Sequence, residues 1–256
     1  MSRILIRRGL VVGTAGAGLM LTGCDQLTKS PSFRDFLGSA ENLTYSAQRF
    51  AELGRPLARE FQERDRSAVF KANGTLSPGD PTYRALAADG FRDWKLSVDG
   101  LVDRPMDLTL DQIQRLPARS QITRHDCVEG WSAIGKWTGT PLGPILKAAG
   151  MKPNARFVVF HCADKLGNSA DETDRYYESV DLIDAFHPQT ILAYRLNDQP
   201  LDIAHGAPLR LRVERQLGYK QAKYLMRIEV VDSFRRMGKG KGGYWEDRGY
   251  EWYAGI

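Results

Sequence analysis

Cysteine and histidine are scarce in this chain of 256 residues, with three of the first and four of the second. There is no CxxC and no HxxxH, and His125, His161, His187 and His205 lie scattered. A structural zinc site, which needs four such ligands at short pairwise spacing, therefore has no basis in the sequence. The absence of CxxCH likewise leaves no attachment site for a c-type haem. Long apolar runs are missing too: residues 9–23 carry no charge, but at about 15 residues they fall short of the ~20 that a membrane-spanning helix needs. No basic stripe interleaved with aromatics occurs, which argues against a nucleic-acid partner. Internal repeats and long linkers are absent as well.

What is present begins with a leader. Arg3, Arg7 and Arg8 precede the uncharged stretch, the order of an export signal over residues 1–23. Arg7-Arg8 resembles a twin-arginine signal, which exports proteins already folded. Leu21-Thr22-Gly23-Cys24 resembles a bacterial lipobox that would make Cys24 the lipidated first residue, and Asp25 resembles an inner-membrane retention signal. Loss of the leader removes three arginines, so the formal charge falls from +5 to +2, and the basic pI says little about partners. Residues 24–256 suffice for one sizeable core. With Cys24 lipidated, Cys127 and Cys162 remain; export permits them to pair, or each has a separate reason.

Periodicity organises the rest. Leu43, Ala47, Phe50, Leu53, Leu57 and Phe61 recur at helical spacing, which predicts an amphipathic arm within residues 24–69. The turn-rich "FKANGTLSPGDP" (70–81) is expected to be loop. From Trp94 onward short strands dominate: "WKLSVDGLV", "RFVVFHCA", "TILAYRL", "PLRLRVE" and "LMRIEVVD". Helical pieces fall at 109–116 and 141–150, the second ending on Gly150. The class is α+β with mixed sheets, in one domain over 70–256. The tail, 238–256, combines a Gly-Lys turn with aromatics that are expected to cover a sheet edge.

Two stretches carry chemistry. In "TRHDCVEGW" (123–131), Cys127 stands among charged neighbours, where a thiolate could serve as nucleophile, disulfide half or metal ligand. In "HGAPLRLRVERQLGYKQAK" (205–223), His205, Arg210, Lys220 and Lys223 cluster around Gly206 and Gly218. That is how a chain cradles a phosphate with charge-assisted donors, and it also fits charges on a sheet edge. At this level a Cys-dependent hydrolase pairing Cys127 with a histidine and a non-catalytic lipoprotein both stay open.

In order and spacing, Cys127, "YYESVDLIDAFHPQTILAYRLNDQPL" (176–201), "HGAPLR" (205–210) and "LGYKQAKYLMRIEV" (217–230) resemble the sulfite oxidase family of molybdopterin-dependent oxidoreductases. The likeness is to its bacterial branch, related to periplasmic methionine sulfoxide reductase catalytic subunits, and runs from about Phe70 to Asp232. The resemblance implies a mixed-sheet molybdopterin-binding fold with molybdenum–molybdopterin as cofactor. Cys127 would be the protein thiolate on the metal, a soft ligand for a sulfur-rich centre. His205 and Arg210 match the HGxPxR signature that holds the pterin phosphate. Gln221, Ala222 and Lys223 match a second phosphate-binding segment, to which Lys220 is a weaker match. Asn73 falls in the turn that closes over the metal, Asp164 matches a pterin-side acid, and Tyr177 is a candidate at the substrate mouth. His125, Asp126 and Glu129 have no certain counterpart, and Cys162 reads as a small buried residue at a strand end.

The implied activity is two-electron oxygen-atom transfer on a small sulfoxide, N-oxide or sulfite, with a separate cytochrome or membrane quinone-linked protein as electron partner. Protein-methionine-sulfoxide reduction is the alternative. A lipid-anchored periplasmic enzyme on the inner membrane follows from the leader. Two departures stand out: Ala72 occupies the place of an arginine in sulfite oxidases, and the chain stops soon after Asp232, so a monomeric catalytic domain is expected.

Overall fold

A computed structural model describes residue 46 and residues 57–167 and 174–256. The expected leader (1–23), Cys24 and most of the expected helical arm lie outside the described residues. Over residues 57–69 of the predicted arm no α-helix forms: the chain is extended at 57–61 and makes one short 3-10 turn at Glu63–Asp65. Glu60 bridges to Thr123, and Phe61 N donates to Ile122 O at 2.8 Å; backbone pairing with a strand satisfies groups that a helix would have used. The compact unit around the site begins at Leu57.

Its elements are α1 (Pro81–Ala88), β1 (Lys95–Gly100), β2 (Met106–Thr109), α2 (Leu110–Arg115), β3 (Arg119–Cys127), β4 (Trp131–Pro141), α3 (Leu142–Ala149), β5 (Phe157–Lys165), β6 (Arg175–Asp181), α4 (Leu182–Ala185), β7 (Ile191–Leu196), β8 (Gln199–Pro200), β9 (Arg210–Arg212) and β10 (Leu225–Val231). One sheet has the order β2-β1-β10-β5-β6, parallel only between β1 and β10. The other has the order β3-β4-β7-β8, with β9 also paired to β7. The α+β class with mixed pairing is as the sequence predicts.

Local chemistry explains the elements. Asp80 caps α1 by accepting from Tyr83 N at 2.9 Å, with Pro81 at the first helical position. Thr109 and Gln112 form a reciprocal capping box on α2, and Gly150, at φ +72°, closes α3. Alternating apolar residues of β1, β5 and β10 (Leu96, Val98, Val158, Phe160, Ile228, Val230) meet Ile145 and Leu146 of α3 in the main core. The long β3–β4 hairpin does not show in the hydrophobic pattern. Its inward residues on β3 are Gln121, Thr123 and His125, all buried, so the alternation is one of burial and not of polarity. Tyr244 N donates to Tyr177 O at 2.9 Å, and the tail covers the edge of β6, which removes an unpaired strand edge.

Candidate active site

Cys127 ends β3 opposite Trp131. The turn between them is Val128-Glu129-Gly130, with Gly130 at φ +85° and its N–H donating to Cys127 O at 3.1 Å; a three-residue hairpin loop needs its left-handed position filled by glycine. The hairpin tip therefore presents a half-buried thiol. Burial raises its pKa, with the Glu129 backbone N–H pulling the other way. Cys162 is fully buried, and burial pushes its thiol well up. Both thiols are free, so the pairing that export would permit is not made.

The thiol opens on a cavity of about 200 Å³. Asn73, Thr75, Glu129, Asp164, Gln221 and Lys223 supply its polar wall, and Val128, Leu166, Tyr176, Tyr219, Trp245 and Tyr250 its apolar one. Lys223 Nζ donates to the carbonyls of Asn73 (2.6 Å), Thr75 (2.5 Å) and Ala204 (2.9 Å). Burial and then Arg210 bring its pKa down to about 7. Asp164 is buried with Oδ1 unpartnered, and burial raises its pKa to about 6. Gly218 also lines the cavity; a Cβ there would come within 2.5 Å of His125 Nε2, so glycine is what lets the loop pass the buried ring.

Behind this wall lies a layer of buried cations. Arg212 is clamped by Glu214 at 2.6 and 2.9 Å and donates to His125 Nδ1 at 3.0 Å. Burial and the two guanidiniums hold His125 well below its usual pKa, so it is neutral. Arg210 differs from its neighbour. It is fully buried, makes no ion pair among the described residues, and has an unpartnered Nε. Two hydrogen bonds hold it, to the carbonyls of His205 (3.0 Å) and Gln221 (3.2 Å), and burial brings its pKa down to about 9. A buried cation without a counter-charge is costly unless an anion completes it.

Of the predicted residues, Asn73, Cys127, Asp164, Gln221 and Lys223 meet at the cavity. Arg210 lies directly behind it, and Ala222 is buried, its carbonyl accepting from Leu211 N. His205 stands outside the lining: Nδ1 faces Asp202 (2.7 Å) and Nε2 faces Phe70 O (2.9 Å), so both ring nitrogens are engaged by protein. Two expectations need correction. Lys220 is not available to a phosphate, because its ammonium is fully buried between Glu178 (2.6 Å) and Glu246. Tyr177 is not at the mouth, because its hydroxyl donates to Asp247 at 2.7 Å on the other face of β6. Its neighbour Tyr176 lines the cavity instead, as strand alternation requires. The aromatic wall of Tyr219, Trp245 and Tyr250 was missed; only their density in the tail and after Gly218 hinted at it.

Among the described residues no three His, Cys, Asp or Glu converge as metal ligands. A metal on Cys127 would take its other donors from a cofactor. Residues 84–237 match the family described as "Oxidoreductase molybdopterin binding domain". The chain belongs to this family. It is a molybdopterin oxidoreductase domain, and the residues fit that cofactor: one accessible thiol, orphaned polar atoms facing the cavity, and a buried guanidinium lacking an anion.

Relatives agree. The "Putative protein-methionine-sulfoxide reductase subunit YedZ1" of Azospira oryzae is 36% identical over 99% of this chain and 87% of that protein. The "Protein-methionine-sulfoxide reductase catalytic subunit MsrP" of Ralstonia nicotianae is 37% identical over 66% of this chain and 49% of that protein. The MsrP of Gluconobacter oxydans is 35% identical over 54% and 47%. The aligned part of this chain thus spans about half the length of these two MsrP relatives. Among solved structures, the sulfane dehydrogenase SoxCD from Paracoccus pantotrophus overlays at TM-score 0.49 and 23% identity, over 56% of this chain and 39% of that one.

Proposed function

We propose that this oxidoreductase reduces an organic sulfoxide or N-oxide, taking electrons from a separate carrier: R2SO + 2e− + 2H+ → R2S + H2O. The observation that carries this reading is the make-up of the cavity. Lys223 is its one lining cation among the described residues, and its outer wall is apolar and aromatic. Such a mouth accepts a neutral organic group more readily than a dianion, whose desolvation requires cationic donors. When bound, the cofactor supplies two-electron oxygen-atom transfer beside the Cys127 thiolate.

The remaining roles belong to the chain. Arg210, Lys223 and the Gln221 and Ala222 segment would hold the cofactor's phosphate, and Asn73 would close its turn over the metal. Asp164, titrating near pH 6, is placed to hold one of the two protons the reaction consumes. Val128, Trp245 and Tyr250 exclude water and contact the organic part of the substrate.

Protein-bound methionine sulfoxide is the second reading. It is supported by the names of the relatives and by Val128 and Tyr250, exposed at the rim to 46% and 40%, which an extended apolar peptide could cover. The leader supports a periplasmic enzyme held by lipid at Cys24; among the described residues no helix is long and apolar enough to cross a membrane. Holoprotein with a reduced viologen donor tests the whole reading: turnover of dimethyl sulfoxide, trimethylamine N-oxide or oxidised protein is the expected result, and activity with none of them refutes it.

A further inference from the structure

One charged surface has no part in this site. Between β10 and the tail, Arg235, Arg236, Lys239 and Lys241 are all exposed, and none makes an ion pair among the described residues. The neighbouring acids are Asp232, exposed, and Asp247, half-buried, so the cations outnumber them. The loop that carries them is held from beneath. Asp247 accepts from Lys239 N (2.8 Å), Lys241 N (3.0 Å) and Tyr177 OH (2.7 Å). Met237 N donates to Phe234 O at 2.9 Å, and Gly240 N to Met237 O at 2.7 Å. The Phe234 ring packs 4.7 Å from Phe157 and 5.7 Å from Trp252. Four like charges are thus displayed on a defined scaffold.

Tyr177 lies under this loop while Tyr176 lines the cavity. Successive side chains of a strand point to opposite faces, so the loop occupies the side of the sheet away from the cavity. Contact made through the loop leaves the cavity mouth open.

We propose that the loop Phe234–Lys241 docks on the anionic phospholipid headgroups of a membrane surface. No exposed large hydrophobic residue lies in it, so it lacks the apolar centre on which protein interfaces are built. Clusters of four or more Lys and Arg beside a membrane are attracted to anionic lipid. The length of chain outside the compact unit bears on this contact: between Cys24 and Leu57 run roughly 30 residues, which span at most about 100 Å. A lipid at Cys24 would fix where the domain is but not which way it faces. The loop supplies the second contact, and it turns the cavity away from the bilayer.

The test uses holoprotein carrying Cys24→Ala, so that no lipid holds it, in flotation with vesicles of phosphatidylcholine or of phosphatidylcholine mixed with phosphatidylglycerol. Binding to the phosphatidylglycerol vesicles alone is expected, weakening with salt as exposed charges are screened. R235Q/R236Q and K239Q/K241Q should each weaken it about 25-fold, with turnover of a small sulfoxide unchanged because the cavity is untouched. Equal binding by the quadruple variant, equal binding to neutral vesicles, or binding to an acidic protein but not to phosphatidylglycerol overturns the proposal.

Discussion

Arg210 lies buried with its guanidinium carbon 4.9 Å from the centre of the Trp137 ring, and Arg212 is 4.4 Å from the same ring. Only Arg212 has a carboxylate, that of Glu214. The aromatic face eases the burial of Arg210 without neutralising it, so its charge is held ready for an anion. Arg210→Met should separate the two consequences. The apoprotein should melt no lower than the parent, since an uncompensated buried charge has gone. Cofactor retention should fall roughly 10- to 150-fold for loss of a charged hydrogen bond worth about 1.5–3 kcal/mol. Thermal unfolding of apoprotein, set beside molybdenum and pterin content after dialysis, checks both.

Lys220 presents the opposite case. Its ammonium satisfies Glu178 and Glu246 in one buried cluster, and Glu246 belongs to the tail that brings Trp245 and Tyr250 to the cavity. Lys220→Met leaves two carboxylates buried together, and breaking a buried pair from one side costs about 3–5 kcal/mol. A large drop in melting temperature is expected in the apoprotein as well as the holoprotein. Lys220→Met that melts normally and loses only cofactor would restore a phosphate role.

Lys220 and Lys223 show where the sequence stops being informative. Both stand in one glycine-bounded basic segment, yet the turn at Gly218–Lys220 sends one ammonium into a carboxylate cluster and the other to the cavity. Glu246, a partner that decides this, is 26 residues away. The same limit applies to Tyr176 and Tyr177, where a one-residue choice of face separates cavity from outer surface. The helix at 109–116, the glycine after α3 and the apolar β5 and β10 were legible because their signals are local. The grouping of Cys127, Asn73, Asp164, Gln221 and Lys223 came only through the family resemblance. The β3–β4 hairpin was not legible, because the buried face of β3 is polar and its partners, Arg212 and Glu214, lie far along the chain.

Asp164 makes apoprotein stability depend on pH. Its pKa in the folded chain, about 6, is raised from an ordinary 3.8 by burial, so the folded state favours the neutral acid. The stability linked to that proton is complete below about pH 4 and is lost as pH rises through about 6, a difference of at most ~3 kcal/mol. Asp164→Asn should therefore stabilise the apoprotein above about pH 6 and make little difference near pH 4. Urea unfolding across that range reads the effect directly, and a pH-independent difference would show that the proton is not responsible.

Cys127→Ser replaces a soft ligand by a hard one at the hairpin tip. Activity should collapse and the metal's absorption should change, while pterin stays bound through Arg210 and Lys223. Absorption spectra and pterin fluorescence of the purified variant distinguish these outcomes. An active variant with an unchanged spectrum would remove Cys127 from the metal.

The substrate prediction rests on Ala72. It stands beside Asn73, Gly74 and Thr75 of the cavity wall, at the place where the resemblance to sulfite oxidases calls for arginine. Among the described residues no other cation fills in. Lys71 is drawn to Glu129 at 3.6 Å, Arg124 is tied to Asp126 at 2.8 Å, and Lys223 is the cation proposed to hold the cofactor's phosphate. Sulfite is a small dianion near neutral pH, and the missing charge-assisted contact is worth about 1.5–3 kcal/mol, or roughly 10- to 150-fold in efficiency. Weak sulfite oxidation beside clear sulfoxide or N-oxide reduction is expected in steady-state kinetics with artificial electron carriers. Ala72→Arg should raise kcat/KM for sulfite and lower it for the neutral substrate. Fast sulfite turnover by the parent enzyme, without sulfoxide or N-oxide activity, would overturn both the argument from Ala72 and the proposed direction of the reaction.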